Sequence, residues 1–469
     1  MIPNPLESGG YYICYRQHQI IEQKNLMTKN TVVAWSFVVA LGGFLFGFDT
    51  AVISGAEKLV QVYWHLSEVE HGVTMAIALL GTVAGALLGA YPSDRFGRRR
   101  TLFMIAALYF FSALGTALAH DWYLFILFRF LGGIGVGVSS VTAPIYISEI
   151  SPADKRGRLV GLFQFNIVLG ILVSYLSNYL IGQGGENSWR WMLGVQAFPA
   201  AVFYILIHFV PESPRWLLLY RKNQAGALQI LKKINPLHYA DELETILASA
   251  KATNGNGTRT SLFSRKYRFP VLLAILFAVF NQVSGINAII YYAPRVFEMA
   301  GLGAQSSLLS TVGIGLVNFT FTLIAINIID KVGRRKLMLV GSFGMIASLA
   351  MVSYSFYTEN PDGLMVTAYL MVFIAFFAFS QGAVIWVFIS EIFPNEVRAK
   401  GQTLGSLTHW VMAAIITFFF PILSEWTGGG TTFLIFAGFM ALQLLFVWKL
   451  MPETKGKSLE LIGGTMMPK

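Results

Sequence analysis

Long apolar runs dominate this chain, and short polar segments separate them. The hydrocarbon core of a membrane is about 30 Å thick, so a helix needs roughly 20 apolar residues to cross it. Runs of this kind occur at residues 32–55, 72–91, 101–119, 122–147, 158–181, 190–210, 269–297, 306–328, 336–357, 365–391, 402–424 and 432–451. The pattern predicts an all-α membrane protein with twelve transmembrane helices, which we number as spans one to twelve.

The composition and the distribution of charge support this class and give it an orientation. Hydrophobic residues make up 55% of the chain and charged residues only 12%, as expected of a chain that faces lipid. All but four of the 34 Lys and Arg residues lie in the tails and loops of one side; the exceptions are Lys58, Arg190, Arg295 and Arg129. By the positive-inside rule, both termini are predicted to be cytoplasmic and the protein to lie in the inner membrane. The net charge of +10 therefore requires no nucleic-acid partner.

Three sequence motifs occur twice, at nearly constant offsets of 236, 242 and 241 residues. All six copies lie on the predicted cytoplasmic side, which indicates two parallel repeats of six helices. The pairs are DRFGRRR (94–100) with DKVGRRK (330–336), SEISPADKRG (148–157) with SEIFPNEVRAKG (390–401), and PESPR (211–215) with PETKG (452–456).

The spans and the repeat divide the chain into five parts. Between the halves, 224–235 and 239–251 have the apolar spacing of short helices. The predicted parts are a disordered N-terminal tail (1–31), an N-terminal six-helix bundle (32–210), a cytoplasmic loop with short helices (211–268), a C-terminal six-helix bundle (269–451) and a cytoplasmic tail (452–469).

Two opposite charges are embedded in the apolar spans of the N-terminal half. Asp49 lies in span one and Arg129 in span four, and an unpaired carboxylate in such a helix costs about 2.5 to 3.5 kcal/mol. A guanidinium keeps its proton, whereas a carboxyl group can exchange one. We therefore predict a pair that switches between an ion-paired and a protonated form. A static salt bridge between the two spans is the alternative.

The repeated motifs, together with GGFLFGFDTAVISG (42–55) and NQVSGINAIIYYAPRVF (281–297), resemble the sugar porter family of the major facilitator superfamily. The resemblance covers about residues 32 to 462 and is closer to bacterial proton-coupled xylose and hexose carriers than to animal facilitative carriers. It implies the major facilitator fold, a central monosaccharide site and alternating access. In the family's bacterial symporters an Asp stands at the position of Asp49, which favours proton coupling here.

Amides in the apolar spans are candidates for a neutral site. Sugar hydroxyls both donate and accept hydrogen bonds, which suits amides and an aromatic wall. Gln282 and Asn287 lie about 140° apart on an ideal helix, and Gly285 between them is expected to break the helix so that both face inward. An interhelical hydrogen bond is the alternative role for each amide. The candidates are Gln164, Asn281, Gln282, Asn287 and Asn318.

The resemblance adds further positions to this site. It implies sugar contacts at Gln164, Gln282, Asn287, Asn318 and Trp386, and a cavity lined by Phe46, Tyr291, Phe377, Gly382 and Trp410. The chain departs from the family at three positions: Asn281 replaces a glutamine, Ile171 replaces a second glutamine of span five, and His409 stands where an amide is usual. His409 is expected to be a neutral hydrogen-bonding wall residue, with a titrating role as the alternative. These departures leave the identity of the sugar open.

Charged residues at matching positions of the two repeats predict a cytoplasmic gate. Exposed ion pairs contribute only about 0 to 1 kcal/mol each, which suits a latch that joins the bundles and must open. Arginines alone would also serve as topology signals, but that role does not explain the matching acids. The predicted gate contains Glu149, Glu391, Arg98, Arg156, Arg334 and Arg398, and by resemblance Glu212 and Glu453.

Other functions have less support in the sequence. The chain has no GxxxxGK[ST] loop, no HExxH motif and a single cysteine, so we expect neither an enzyme nor a metal or cofactor. GGIGVG (132–137) lies inside span four and is predicted to be a close-packing seam. The expected partners are a monosaccharide, a proton and the lipid bilayer, and we expect a monomer. A facilitative sugar or polyol uniporter and a sugar-sensing receptor remain the alternatives.

Overall fold

The structure is a computed structural model of the chain. It describes residues 5–152, 156–236, 238–255, 261–358, 361–394 and 396–455, and only the backbone of residues 5–30 and 249–255. The C-terminal tail predicted at 452–469 therefore lies largely outside the described residues. In the part that is described, the regular structure is entirely helical.

The helices follow one another in two halves joined by a helical loop. The N-terminal half contains α1 (Pro5–Tyr63), α2 (Glu68–Leu88), α3 (Ala90–Phe96), α4 (Arg98–Leu118), α5 (Trp122–Ile150), α6 (Arg156–Ile181), α7 (Ser188–Gly194) and α8 (Ala197–Leu206). The loop contains α9 (Pro214–Leu219), α10 (Gln224–Ile234) and α11 (Tyr239–Gly255). The C-terminal half contains α12 (Arg268–Val283), α13 (Ile286–Met299), α14 (Ala304–Val332), α15 (Arg334–Tyr357), α16 (Gly363–Phe377), α17 (Ala383–Glu391) and α18 (Arg398–Lys449).

Eleven helical stretches of the described chain are long and apolar enough to cross a membrane. The last of them, α18, is 52 residues long and contains two spans, because Gly428 interrupts its helical backbone with φ 75° and ψ 164°. The twelve predicted spans are therefore present. Span six combines α7 and α8, span seven combines α12 and α13, and span ten combines α16 and α17 around a π-helical turn at Ala378–Gly382.

The first two span boundaries differ from the prediction. Helix α1 begins at Pro5 and ends at Tyr63, so the backbone of residues 5–31 is helical where a disordered tail was predicted. A segment that continues an existing helix needs no new nucleus, which makes its helical form cheap even for a polar sequence. Helix α1 also extends eight residues beyond the predicted end at residue 55, and α2 begins at Glu68 rather than at 72.

The hydrophobic cores show how the halves are joined. The largest core contains buried side chains of both halves, such as Val52 and Tyr175 with Tyr292 and Phe420. Two smaller cores lie near the repeated basic motifs, which we call the basic end of the molecule. One is built from the N-terminal half and the loop, and the other from the C-terminal half and the end of the loop. The halves thus share a core away from the basic end and separate towards it.

The glycines of span four pack directly against span two. A Cβ atom on Gly133 would lie 1.9 Å from the backbone oxygen of Ala78, and one on Gly137 would lie 2.3 Å from that of Thr82. Small residues allow membrane helices to approach backbone to backbone. The segment 132–137 is therefore a close-packing seam, as predicted.

Candidate transport site

The two embedded charges of the N-terminal half meet between α1 and α5. Nη1 of Arg129 donates to Oδ1 of Asp49 at 3.0 Å, and Nη2 lies 3.5 Å from the backbone oxygen of Asp49. Both side chains are buried, with 2% and 4% of their surface exposed. A buried ion pair of this kind is strongly destabilised if one partner loses its charge without compensation. The pair ties α1 to α5 through two charges that depend on one another.

Span seven is broken at the position predicted from Gly285. Helix α12 ends at Val283 and α13 begins at Ile286, with Gly285 between them at φ 84° and ψ 10°. This left-handed conformation favours glycine. A Cβ atom there would also lie 2.6 Å from the ring of Phe436. The break frees the two helices to point their amides towards one another.

Four polar side chains form a cluster at this break. Nδ2 of Asn287 donates to Oε1 of Gln282 at 2.6 Å, and Nε2 of Gln282 donates to Oδ1 of Asn281 at 2.9 Å. The same Nε2 lies 3.2 Å from a ring nitrogen of His409 in span eleven. Nδ2 of Asn281 is buried and has no hydrogen-bond partner in the described part of the chain. The cluster therefore keeps a donor that a polar ligand can use.

Aromatic rings line the other side of this cluster. The ring centroids of Trp386 and His409 are 4.9 Å apart, as are those of His409 and Trp410. Trp410 in turn lies 5.5 Å from Phe46 of α1, so the wall joins the two halves. Ring faces of this kind pack against the apolar faces of a sugar.

Tyr291 connects the polar cluster with the ion pair. Its side chain is buried one turn after Asn287 on α13, and it interacts electrostatically with both Asp49 and Arg129. Phe377 is buried at the end of α16, and Gly382 closes the adjacent π-helical turn. Tyr291 thus shares α13 with Asn287 and lies within electrostatic range of the ion pair.

Gln164 and Asn318 lie on facing helices of the two halves. The neighbouring rings of Phe165 and Phe319 are 5.5 Å apart, which brings α6 against α14 at this level. Both amides are half-buried, and neither has a hydrogen bond among the described residues. In this conformation the two amides therefore form no interhelical hydrogen bond, which was their alternative role. Their donors and acceptors are available.

The predicted gate residues of the N-terminal half form a cluster within that half. Arg98 donates twice to Glu149, from Nε and Nη2, each at 3.0 Å, and also pairs with Asp94 at 3.0 Å. Glu212 accepts from the backbone N–H groups of Arg99 and Ser213, at 3.1 and 2.9 Å. Burial raises the pKa of the Glu212 carboxyl above its ordinary value, and these backbone donors partly oppose that effect.

The C-terminal half repeats this cluster. Arg334 pairs with Glu391 at 2.8 Å and with Asp330 at 2.9 Å. Glu453 accepts from the backbone N–H groups of Arg334 and Arg335, at 3.0 and 3.1 Å. In both halves a glutamate from a distant motif therefore satisfies the first N–H groups of a spanning helix.

Every ion pair that the described gate residues form lies within one half of the molecule. Arg156 is exposed, and Arg398 donates from Nε to the backbone oxygen of Phe393 at 3.1 Å. The gate residues are thus assembled within each half, and the predicted bridges between the bundles are absent in this conformation. The basic end is open and the opposite end is closed.

Two buried ionisable residues were missed by the sequence analysis. Glu57 and His71 are almost fully buried near the closed end, although both fell outside the predicted spans. The prediction ended span one at residue 55 and began span two at residue 72. A search for ionisable residues one turn beyond each apolar run would have found them.

The site offers hydrogen-bonding groups and ring faces beside a buried ion pair. Its polar groups are amides, an imidazole and an ion pair, which suits an uncharged polyhydroxylated ligand. Among the described residues, no group of three or more His, Cys, Asp or Glu is arranged to hold a metal ion. A twelve-span bundle of two equivalent halves around such a site has the architecture of a secondary membrane transporter.

Comparison with known proteins places the chain within this class. The model of the Sugar (and other) transporter family matches residues 35–464. The arabinose-proton symporter of Bacillus subtilis is 39% identical over 436 residues, which cover 92% of this chain and 94% of that protein. The D-xylose-proton symporter of Escherichia coli is 37% identical over 464 aligned residues, with 91% and 94% coverage.

A solved structure agrees with the fold as well. The inward open conformation of the xylose transporter XylE from E. coli superimposes with a TM-score of 0.82 at 34% identity, covering 93% of this chain and 100% of that one. The chain therefore belongs to the Sugar (and other) transporter family. It is a transporter and not an enzyme.

Proposed function

We propose that this protein takes up a monosaccharide, a pentose or a hexose, together with a proton by alternating access. The observation that carries the proposal is the buried Asp49–Arg129 pair, which lies beside an uncharged site of amides and rings. Tyr291 belongs to the helix of Asn287 and interacts electrostatically with the ion pair, which links the two sites. Relatives named as arabinose-proton and D-xylose-proton symporters support the same reading.

The proton acts at the carboxyl group of Asp49. While Asp49 is ionised, Arg129 is held at 3.0 Å and α1 is tied to α5. Protonation removes the charge that compensates the guanidinium, which then needs a new partner in a medium that solvates it poorly. The cost favours a rearrangement of α1 against α5. Release of the proton restores the pair, so each protonation state favours a different conformation.

The sugar is held by the amides and the aromatic wall. Gln282 and Asn287 provide the central donors and acceptors, while Gln164 and Asn318 approach from the facing pair of helices. Trp386 packs on the sugar ring, and Phe46, Tyr291, Phe377, Gly382 and Trp410 line the rest of the cavity. Asn281 and His409 set the pattern of donors at one wall, and we assign the choice between sugars to these two positions.

The basic end faces the cytoplasm of a bacterial inner membrane, so both termini are cytoplasmic. The excess of Lys and Arg at this end supports that orientation, as does the open basic end, since the superimposed transporter is in an inward open conformation. The protein works as a monomer in the bilayer. Arg156 and Arg398 form no ion pair with a glutamate in the open state. When the cytoplasmic side closes, they join the clusters of Glu149 and Glu391 across the halves.

Asp49→Asn tests the proposal. The variant keeps the size of the side chain but cannot exchange a proton. In right-side-out vesicles with an imposed pH gradient, the wild-type protein should accumulate a labelled pentose or hexose, and the variant should lose accumulation but retain exchange down a sugar gradient. Asp241→Asn, the same substitution at a side chain that is 80% exposed on α11, is the control and should accumulate normally.

The outcomes separate the candidate functions. Accumulation by Asp49→Asn at the wild-type level would indicate a facilitator or a different coupling group. Binding without uptake would indicate a sugar receptor. If none of a panel of pentoses, hexoses and inositol is taken up by the wild-type protein, the monosaccharide proposal is wrong.

A further inference from the structure

The closed end contains a charged cluster that the proposed site does not use. Glu57 belongs to α1 and His71 to α2 of the N-terminal half, while Arg295 belongs to α13 of the C-terminal half. We call these three residues the polar lock. Glu68 at the start of α2 and Gln61 of α1 lie at its edge.

The lock is buried at its centre and bridges the two halves. Nε2 of His71 lies 2.7 Å from Oε2 of Glu57, and the two side chains are 0% and 1% exposed. Nη1 of Arg295 lies 3.6 Å from the same carboxylate oxygen and donates to Oε1 of Gln61 at 3.1 Å. Neither ring nitrogen of His71 has an aligned hydrogen bond among the described residues. The close polar neighbour of the His71 ring is the Glu57 carboxylate.

The acids of the lock belong to one half and its arginine belongs to the other. Glu57 and Glu68 are acids of the N-terminal half, and Arg295 lies within 3.6 and 3.5 Å of them. A buried carboxylate without a cation is costly. When the halves separate at this end, Arg295 leaves with the C-terminal half. Water must then replace the guanidinium beside Glu57, so the closed form gains from the lock and the open form does not.

The lock is attached to the two helices that carry the transport site. Glu57 follows Asp49 by eight residues on α1, about 12 Å along the helix axis. Arg295 follows Asn287 by eight residues on α13, the short helix that begins just after the break at Gly285. A movement of α13 away from α1 therefore opens the lock and disturbs the sugar site in one step.

We propose that Glu57, His71 and Arg295 are positioning residues that hold this end of the transporter closed and set the balance between its two conformations. The proposal rests on the alternating access of the proposed function. His71 holds the carboxylate of Glu57 in place, and Arg295 provides the contact that breaks when the end opens.

The same end provides a matched control. Lys58 and Glu298 also form an ion pair between the two halves, next to the lock in sequence, but their side chains are 60% and 20% exposed. Exposed pairs contribute little because water and salt screen them. Loss of the Lys58 charge should therefore have a small effect, although the contact also crosses the halves.

Distances between spin labels at both ends measure the balance directly. Cys14 is the only cysteine, so Cys14→Ser provides a background for labelling. Val62 and Ala304 lie on opposite halves at the closed end, where both line a cavity of about 560 Å³. Phe96 and Val332 are equivalent positions of the repeated motif at the basic end. Label pairs at 62 with 304 and at 96 with 332 should report opposite changes, in the full-length protein reconstituted without sugar.

We expect Arg295→Gln and Glu57→Gln each to shift the ratio of the two conformations at least tenfold towards the form open at the 62–304 pair and closed at the 96–332 pair. Lys58→Gln should change this ratio less than about fivefold. The double variant E57Q/R295Q leaves no buried charge unpaired and should show a shift smaller than the sum of the single shifts. It also covers the case in which a single variant does not fold. His71→Gln should shift the ratio in the same direction as Glu57→Gln.

The proposal is overturned if Arg295→Gln, or the double variant where the single one does not fold, leaves both distance distributions at their wild-type values. A shift by Lys58→Gln equal to that by Arg295→Gln would also overturn it, since burial would then be irrelevant. A wild-type protein with one fixed separation at both ends, with and without sugar, would count against alternating access itself. The two failures are thus distinguishable.

Discussion

The two ends of the molecule use the same kinds of charged residue in different ways. At the basic end, Arg98 and Arg334 pair with Glu149 and Glu391 of their own half. At the opposite end, Arg295 of one half approaches Glu57 of the other. Contacts within one half move with that half as it rocks, whereas contacts between halves must break. An ion pair therefore favours one conformation only when its partners belong to different moving bodies.

The largest loss in the free energy of unfolding should come from breaking the ion-pair clusters within each half. In Arg98→Ala, the Glu149 carboxylate, only 8% exposed, loses its bidentate partner, and such a loss destabilises by about 3 to 5 kcal/mol. Arg334→Ala should cost less, because Glu391 is 21% exposed and keeps a hydrogen bond from Thr454. Chemical unfolding in detergent measures both. Equal losses, or a larger loss for Arg334→Ala, would contradict the assignment of the more buried cluster as the stronger one.

A smaller loss of stability is expected from a substitution at the break between α12 and α13, which lies between the two ends. In Gly285→Ala, the left-handed backbone costs about 1 to 2 kcal/mol, and contact of the new Cβ with the ring of Phe436 adds about 1 to 3 kcal/mol. Sugar affinity should fall as well, because Gln282 and Asn287 flank the break.

Gly185 offers the matched control for this substitution. It has nearly the same φ, 82°, and a Cβ atom there would meet nothing within 4 Å. Gly185→Ala should therefore cost only the backbone share, about 1 to 2 kcal/mol, and leave sugar uptake unchanged. If the two variants lose equal stability and equal uptake, the close approach of Phe436 has no role.

The smallest predicted effect is the pH dependence of the unfolding free energy that Glu212 causes at the basic end. Burial raises the pKa of Glu212 in the folded protein above its ordinary value of 4.5, so the stability that this group contributes is full below about 4.5 and is lost as the pH rises through the raised pKa. The unfolding free energy of the wild-type protein relative to Glu212→Gln should therefore increase as the pH falls from 7 to 5, by less than about 1 kcal/mol. A difference between wild type and Glu212→Gln that is constant with pH, or that decreases, would contradict this prediction.

Much of the fold follows from the sequence because its signals are local. Each span needs only a run of apolar residues, and the repeat is visible as paired motifs such as DRFGRRR and DKVGRRK. The break at Gly285 was also predictable, since two amides that must face one direction lie on different sides of an unbroken helix. Pairing of Asp49 with Arg129 followed from the cost of burying either charge alone.

The remaining features depend on contacts that no local pattern specifies. Arg98 and Arg334 were expected in bridges between the bundles, but which half supplies a partner depends on the conformation. The burial of Glu57 beyond residue 55 depends on its contacts with His71 of the next helix and Arg295 of the other half, which no local pattern shows. Helical backbone before residue 32 follows from its attachment to a spanning helix rather than from its composition.

The position of Tyr291 has a thermodynamic consequence for the binding of the proton and the sugar. Its side chain interacts electrostatically with both charges of the Asp49–Arg129 pair. It also belongs to the helix of Asn287, which we propose to bind the sugar. If occupancy by sugar changes the affinity for the proton by some factor through this ring, the proton must change the affinity for sugar by the same factor. Measurement of sugar binding at two pH values would then yield, without any transport assay, the free energy of coupling between the proton site and the sugar site.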